Sequence, residues 1–341
     1  MGIHFRKKVQ NSKILNPNDG FKELTLALET RWDPLTKRSV RVLNLPIPKF
    51  DLWDMEEMLK KGGPQVCPFC PETLEKVTPR FTEDFFPGGR LFKGEAVLFP
   101  NRIPFDRHCA VAVMSKQHYV SLADFNEEML FSAFSAALIF LRRVAEKDPA
   151  VRYSSINWNY LPMAGGSIIH PHLQVLAGEF PTYYQETLIR AAARYYKRQG
   201  SVFWEDLAKE EITLKERFIG KSGKTVWLAA FAPLGFTDIM TIFQGKTSLP
   251  GLDDQDLKDF CEGLMRVFRF FLAYNHYSFN LGLYSGKHPN DDSFWVQARM
   301  MTRRLLPPMG ASDVSYFEKI HKESLDYLSP EKLCAAAREF F

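Results

Sequence analysis

The chain is short of several things, and each shortage removes a class of answer. Five cysteines in 341 residues are too sparse for the disulfide framework of a small secreted scaffold, so a reducing cytoplasm is the expected compartment. Long hydrophobic runs are missing as well. The longest nearly apolar stretch, Met129 to Leu141, is interrupted by serines and too short to cross a bilayer. Met1 to Asn11 is polar and basic, without the apolar centre of a signal peptide. Charge of one sign is scarce too. A formal net charge of +4 implies neither a nucleic acid nor an acidic membrane partner and leaves small anions as a matter of local sites.

What is present is the material of a folded enzyme-sized body. Hydrophobic residues at 45% and charged residues at 25% argue against global disorder, and 29 Phe predict a dense aromatic core. The length suffices for two domains or one duplicated domain. Residues 1–62 read as irregular, with strand candidates around Thr36–Leu45. Strands are expected at Glu95–Phe99 and Cys109–Met114. A helix follows, with an S-x-x-D start at Ser121 and Asp124 and an apolar stripe through Leu130, Phe134, Leu138 and Leu141. Next come a strand at Tyr153–Tyr160, a glycine loop and a further strand. The same order then recurs: a strand at Asp238–Phe243, a helix opened by Leu252-Asp253-Asp254, a strand with Asn280, and a strand through Gln297 and Arg299. Two β–α–β–β units can bury their open faces on one another, so one α+β pseudo-duplicated body is expected. Residues 180–226 form the connection, with a helix around Gln185–Arg198.

The chemistry is concentrated in the first unit. His170-Pro171-His172-Leu173-Gln174 follows the run Ala164-Gly165-Gly166-Ser167. A strand has a side-chain period of two, so His170, His172 and Gln174 share a face beside flexible backbone with N–H groups to offer. Two imidazoles and an amide so placed suit the handling of a phosphate. The alternative is a strand with two buried, hydrogen-bonded histidines. Upstream, Cys67-Pro68-Phe69-Cys70 is a C-x-x-C pair. Two thiolates at that spacing can grip one tetrahedral metal, with zinc the usual occupant. A redox dithiol and a pair of unpaired buried cysteines are the competing readings. The redox motif wants its cysteines opening a helix after a strand, which Gly62-Gly63-Pro64 and Pro71 fit poorly. His108, His118 and His170 could complete a metal site. His4, His276, His288 and His321 read as surface or capping residues.

Taken together, the chain resembles galactose-1-phosphate uridylyltransferases and their relatives, the histidine-triad (HIT)-like nucleotidyltransferases and nucleotide phosphorylases. The matching residues are Cys67 and Cys70, Asn159 ahead of the loop, Gly165-Gly166-Ser167, and His170-Pro171-His172-x-Gln174. Arg31-Trp32-Asp33-Pro34-Leu35-Thr36 is similar to the family's N-terminal R-x-(N/D)-P-L-T, and Tyr316-Phe317-Glu318 to its Y-x-E region. The resemblance implies an α+β fold of two tandem HIT-like halves, antiparallel sheets with flanking helices. Residues 1–180 would be the catalytic half with the zinc site, and 181–341 a half without catalytic histidines.

The resemblance also assigns roles. His172 corresponds to the nucleophile that takes up a nucleoside monophosphate, with Gln174 and Ser167 beside it. Cys67, Cys70, His118 and His170 fall on the Zn(2+) positions. Asn101 lies where the nucleoside is held, and Asn159, Gly165 and Gly166 belong to the nucleotide- and phosphate-binding set. The implied reaction exchanges a nucleoside monophosphate between a nucleotide sugar and a sugar 1-phosphate, as in galactose metabolism. Phosphorolysis of ADP-glucose or a dinucleoside polyphosphate is the alternative enzyme, and a non-catalytic zinc-stabilised nucleotide-binding protein the alternative of another class. A cytoplasmic homodimer is implied.

On the chemistry itself, a neutral imidazole can attack phosphorus if its other nitrogen donates a hydrogen bond that fixes the tautomer. A carbonyl of the glycine loop is expected to accept that bond, and loop N–H groups with the Ser167 hydroxyl to stabilise phosphoryl oxygens. Gln174 cannot shuttle a proton, which favours transfer or phosphorolysis over hydrolysis. Two departures stand out. Where the family carries an arginine-bearing S-P-x-R run, this chain has Leu43 to Lys49 with no arginine. Tyr284, Gln297 and Arg299 stand where some members bind a second metal, so none is expected.

Overall fold

A computed structural model describes residues 2–50, 55–65, 67–289, 291–306 and 310–341. The first elements depart from the sequence reading. β1 (Arg6–Asn16) and β2 (Lys22–Trp32) form a long antiparallel hairpin, and β3 (Ser39–Leu45) pairs with β2. The chain's own end closes this sheet, because β16 (Ser324–Leu328) runs parallel to β3. Most of β1 is exposed and polar, so residues 1–62 lack the alternation by which a half-buried strand announces itself. The inner face is anchored where Val40 and Val42 pack on Phe231 and Ala232. Arg31 of the R-x-D-P-L-T segment is buried, donating to Glu29 and, through both Nη atoms at 2.8 Å, to Glu331. That segment therefore ties the N-terminal sheet to the C-terminal helix.

Two short helices follow, α1 (Met55–Lys61) and α2 (Pro71–Val77). Then comes the duplication. In the first half, β4 (Leu91–Lys93), β5 (Ala96–Pro100) and β6 (His108–Val113) lead into α3 (Glu127–Lys147), β7 (Tyr153–Tyr160) and β8 (His172–Gly178). Between the halves run α4 (Tyr183–Gln199) and α5 (Phe203–Leu214), of which the sequence pattern announced only the former. The second half repeats the order with β9 (Phe218–Ser222), β10 (Thr225–Ala229), β11 (Ile239–Phe243), α6 (Asp254–Ala273), β12 (Phe279–Tyr284) and β13 (Gln297–Thr302). The strand order is β4-β5-β6-β8-β7 in one half and β9-β10-β11-β13-β12 in the other. β7 and β12 pair antiparallel across the middle, so the two halves make one ten-stranded sheet. The remaining elements, β14 (Leu305–Leu306), β15 (Ala311–Ser312), α7 (Tyr316–Lys319) and α8 (Pro330–Arg338), complete the C-terminal segment.

Helices α3 and α6 pack on one face of this sheet over a shared core that includes Phe134, Trp158, Phe260, Phe268 and Phe279. Full burial of each such side chain contributes about 2–3 kcal/mol. The α6 start is the predicted one, with Asp253 as N-cap and Asp256 completing a capping box. The α3 start is not. Ser121 bonds Asp124 in a separate turn, and Asn126 caps a helix that begins at Glu127. An S-x-x-D box fits either, because a short turn uses the same side-chain bond. Among the described residues no helix is long and apolar enough to cross a membrane.

Candidate active site

The sheet's second face carries the candidate site residues. β8 alternates Leu173, Val175 and Ala177 into the helix-side core and turns His172 and Gln174 the other way. Across that face lies the Cys67–Cys70 segment. Cys70 is the N-cap of α2 with Pro71 in its first turn. Pro71 therefore opens a helix, correcting the expectation that it argues against one; proline is well suited to N1 because its missing N–H would be unpaired there.

Cys67, Cys70, His118 and His170 converge, with their ligand atoms all within 4.8 Å of one another. Cys70 Sγ lies 3.5 Å from His118 Nδ1 and 3.8 Å from His170 Nδ1, and Cys67 Sγ lies 3.8 Å from His170 Nδ1. A tetrahedral zinc with S at about 2.3 Å and N at about 2.0 Å has S–N edges of about 3.5 Å, so the donor set fits the ion. His170 Nε2–H donates to the Ser115 carbonyl at 2.7 Å, which turns Nδ1 to the cluster, as second-shell bonds to metal-bound histidines do. Burial, then the neighbouring Cys67, pushes the Cys70 thiol up to about 12, so without a cation this thiol is not an activated redox nucleophile. His108 is excluded from the cluster, since it pairs with Asp148 at 2.9 Å on the far end of β6. His276 corrects another expectation: it is fully buried, stacked on Phe50 at 4.4 Å, with burial pushing its pKa down to about 4.

His172 is 6% exposed. Its Nδ1–H donates to the carbonyl of His170 at 2.7 Å, leaving Nε2 as the free ring nitrogen. The accepting carbonyl belongs to the metal-cluster residue, not to the glycine loop as expected. Burial pushes the His172 pKa below its ordinary value, which keeps the ring neutral. Phe69, between the two cysteines, meets the His172 ring edge-on at 5.1 Å. Around it opens a cleft of about 510 Å³ lined by Ser167, His172, Gln174, Asn101, Arg102 and apolar residues including Ile103 and Phe105.

Other expected residues stand just outside that lining. Asn159 Oδ1 accepts from Asn280. Gly165 N–H donates to Pro162 O at 2.9 Å and Gly166 N–H to Leu161 O at 3.2 Å, so these two donors are spent inside the turn. The glycines are required by shape: Gly165 has φ of +86°, and a Cβ on Gly166 would lie 2.9 Å from Asn159 O. Sequence reasoning missed Arg102 and Phe69, although both sit within or next to motifs already singled out. Arg102 follows Asn101 directly, and Phe69 is the apolar residue inside C-x-x-C.

The duplicated, ten-stranded α+β body has the fold of solved GalT-like proteins, and on it a Cys₂His₂ cluster sits beside a histidine strand. The chain is similar in structure to the GalT-like protein of Arabidopsis thaliana, with a TM-score of 0.71 at 19% identity over 91% of this chain and 98% of that one. It is also similar to an ADP-glucose phosphorylase from Arabidopsis thaliana with bound ADP-glucose, with a TM-score of 0.70 at 18% identity over 92% and 99%. A uridylyltransferase gives 0.66 at 18% identity over 91% and 97%. No family model matches the chain. In sequence it is 33% identical over 340 residues, 99% of both proteins, to an uncharacterised protein of Archaeoglobus fulgidus, and it belongs to one family with that protein.

Proposed function

We propose that the protein is a nucleotidyltransferase that works through a nucleotidyl-His172 intermediate, exchanging a nucleoside monophosphate between a nucleotide sugar and a phosphate-bearing acceptor such as a sugar 1-phosphate. The observation that carries this is the His172 Nδ1–H bond to His170 O at 2.7 Å. It fixes the tautomer in which Nε2 has its lone pair free and facing a cleft large enough for a ligand. Nε2 attacks the α-phosphorus, the bond to the leaving sugar phosphate breaks, and the leaving oxygen keeps the electron pair. An acceptor phosphate oxygen then attacks the same phosphorus and neutral histidine departs, so no proton needs to move to water. Ser167 and Gln174 orient phosphoryl oxygens, and Asn101, Ile103 and Phe105 offer a wall for the nucleoside. Asn159, Gly165 and Gly166 act by shaping the turn before Ser167.

Cys67, Cys70, His118 and His170 would hold zinc as a structural ion, fixing His170 and hence its carbonyl. The fold shared with solved nucleotidyl-transferring proteins, including an ADP-glucose phosphorylase, supports the class. One observation favours phosphorolysis as the second reading. Asn44 O and Leu45 O accept bonds from Lys332 at 3.0 and 3.4 Å, so the arginine-free segment is engaged at α8, and Arg102 is the cation among the described residues of the cleft lining. Such a site suits a small acceptor. The test is to load the protein with [α-32P]UDP-glucose or [α-32P]ADP-glucose and chase the label. Release by inorganic phosphate alone means a phosphorylase, and release by galactose 1-phosphate means a transferase. Nucleotide binding with no label formed from either donor would sink both in favour of a binding protein.

A further inference from the structure

Asn280 belongs to β12 in the second half, yet its side chain acts on the first. Its Nδ2 donates to Asn159 Oδ1 at 2.6 Å and to the carbonyl of Ala164 at 2.8 Å. Its Oδ1 accepts from Arg303 Nη1 at 2.8 Å. Arg303 is itself fixed by Asp313, through Nη2 at 2.7 Å and Nε at 3.0 Å. The amide orientation follows from these partners, because a carbonyl can only accept and a guanidinium can only donate.

The two donated bonds straddle the turn between β7 and the histidine strand. That turn is demanding. Leu161 has φ of +71°, a region L-residues with side chains rarely adopt, and Gly165 has φ of +86°. Strained backbone of this kind persists where surrounding contacts over-determine it. Ser167 leaves the turn directly and lines the cleft with His172, so a rotation of the turn moves Ser167 against the His172 ring.

We propose that Asn280 is a positioning residue: anchored by the Arg303–Asp313 pair, it clamps the 161–166 turn and so sets Ser167 for the phosphoryl group on His172. The clamp stands on geometry alone. Its kinetic consequence rests on the nucleotidyltransfer reading.

Two variants of the full-length protein test it. Asn280→Ala removes the clamp. Asn280→Asp keeps the shape and the acceptor for Arg303 but cannot donate to Asn159 and Ala164. Amide hydrogen exchange at Gly165 and Gly166 should rise about tenfold or more in both variants, with bound metal and unfolding midpoint nearly unchanged. The rate of His172 labelling from [α-32P]ADP-glucose or [α-32P]UDP-glucose, whichever labels the wild type, should fall about 10- to 100-fold through kcat, with KM little moved. Unaltered exchange at both glycines, or an Asn280→Asp protein that exchanges and labels like the wild type, overturns the proposal. If exchange rises while even the wild type takes no label from either donor, the clamp stands and the nucleotidyltransfer reading falls.

Discussion

The two halves of the sheet share strand order and helix placement, and differ in what lies over the face opposite α3 and α6. In the second half α4 and α5 cover it: Leu188, Ala192, Phe203, Trp204 and Leu207 pack on Val226, Leu228, Met240 and Ile242. The void left among them is about 30 Å³, room for about one water molecule. On the strand equivalent to the histidine strand, Arg299 is consumed by a buried two-point pair with Asp238. In the first half, among the described residues, the Cys67–Cys70 segment and α2 pack on Phe99, Val111 and Val113 of that face, and the cleft is about 510 Å³. Two helices fill that face with an apolar core. A few residues pinned by a metal can cover the face while leaving space above His172. The comparison would give the Cys₂His₂ cluster, which could hold a metal ion, a purpose: a bound ion would replace the apolar area that a thin cover cannot bury.

Four changes break or sharpen this contrast. The largest effect is expected for His172→Ala, which removes the proposed nucleophile from the open half; turnover should fall by roughly 10⁴-fold or more, with metal content unchanged. Next is Cys70→Ser, aimed at the proposed structural ion. Bound zinc, measured by elemental analysis of the purified protein, should fall from near one equivalent to near zero, and stability by several kcal/mol as the binding energy is lost. Chelation of the wild type should reproduce that loss. In the closed half, Asp238→Ala strands the Arg299 guanidinium and should cost about 3–5 kcal/mol in denaturant unfolding, while His172 labelling stays within twofold or so.

The smallest effect concerns Asp326 on β16, whose carboxyl burial pushes up to about 8. The unfolded chain ionises it near pH 4, roughly the ordinary Asp value, so the folded state holds the extra proton between these limits. Its contribution is fully present below about pH 4 and is lost as pH rises toward about 8. Asp326→Asn should flatten that decline in unfolding free energy, and an unchanged pH profile would contradict it.

The first half was the more legible one because its signals are local. C-x-x-C, the glycine run and the period-two histidines each declare themselves within a few residues, and His118 falls on the zinc positions by resemblance to a known family. What stayed hidden depends on distant partners. The polar faces of β1 do not advertise a strand, and β3 finds its parallel neighbour β16 only from the far end of the chain. The carbonyl that fixes His172 is that of His170, two residues back, and not one from the glycine loop. Loop flexibility suggested free acceptors and donors, whereas the turn uses its glycine N–H groups internally. The covering role of α5 was invisible because its apolar residues read equally well as part of a connecting segment.

In the proposed mechanism, covalent chemistry resides at one ring nitrogen in one half. The most direct measurement is peptide mass spectrometry of the protein after brief incubation with UDP-glucose or ADP-glucose and an alkaline quench. The mechanism predicts a nucleoside-monophosphate adduct, stable to alkali and labile to acid, on His172 alone, absent from His172→Ala. An adduct on another residue, or none with either donor, would contradict it.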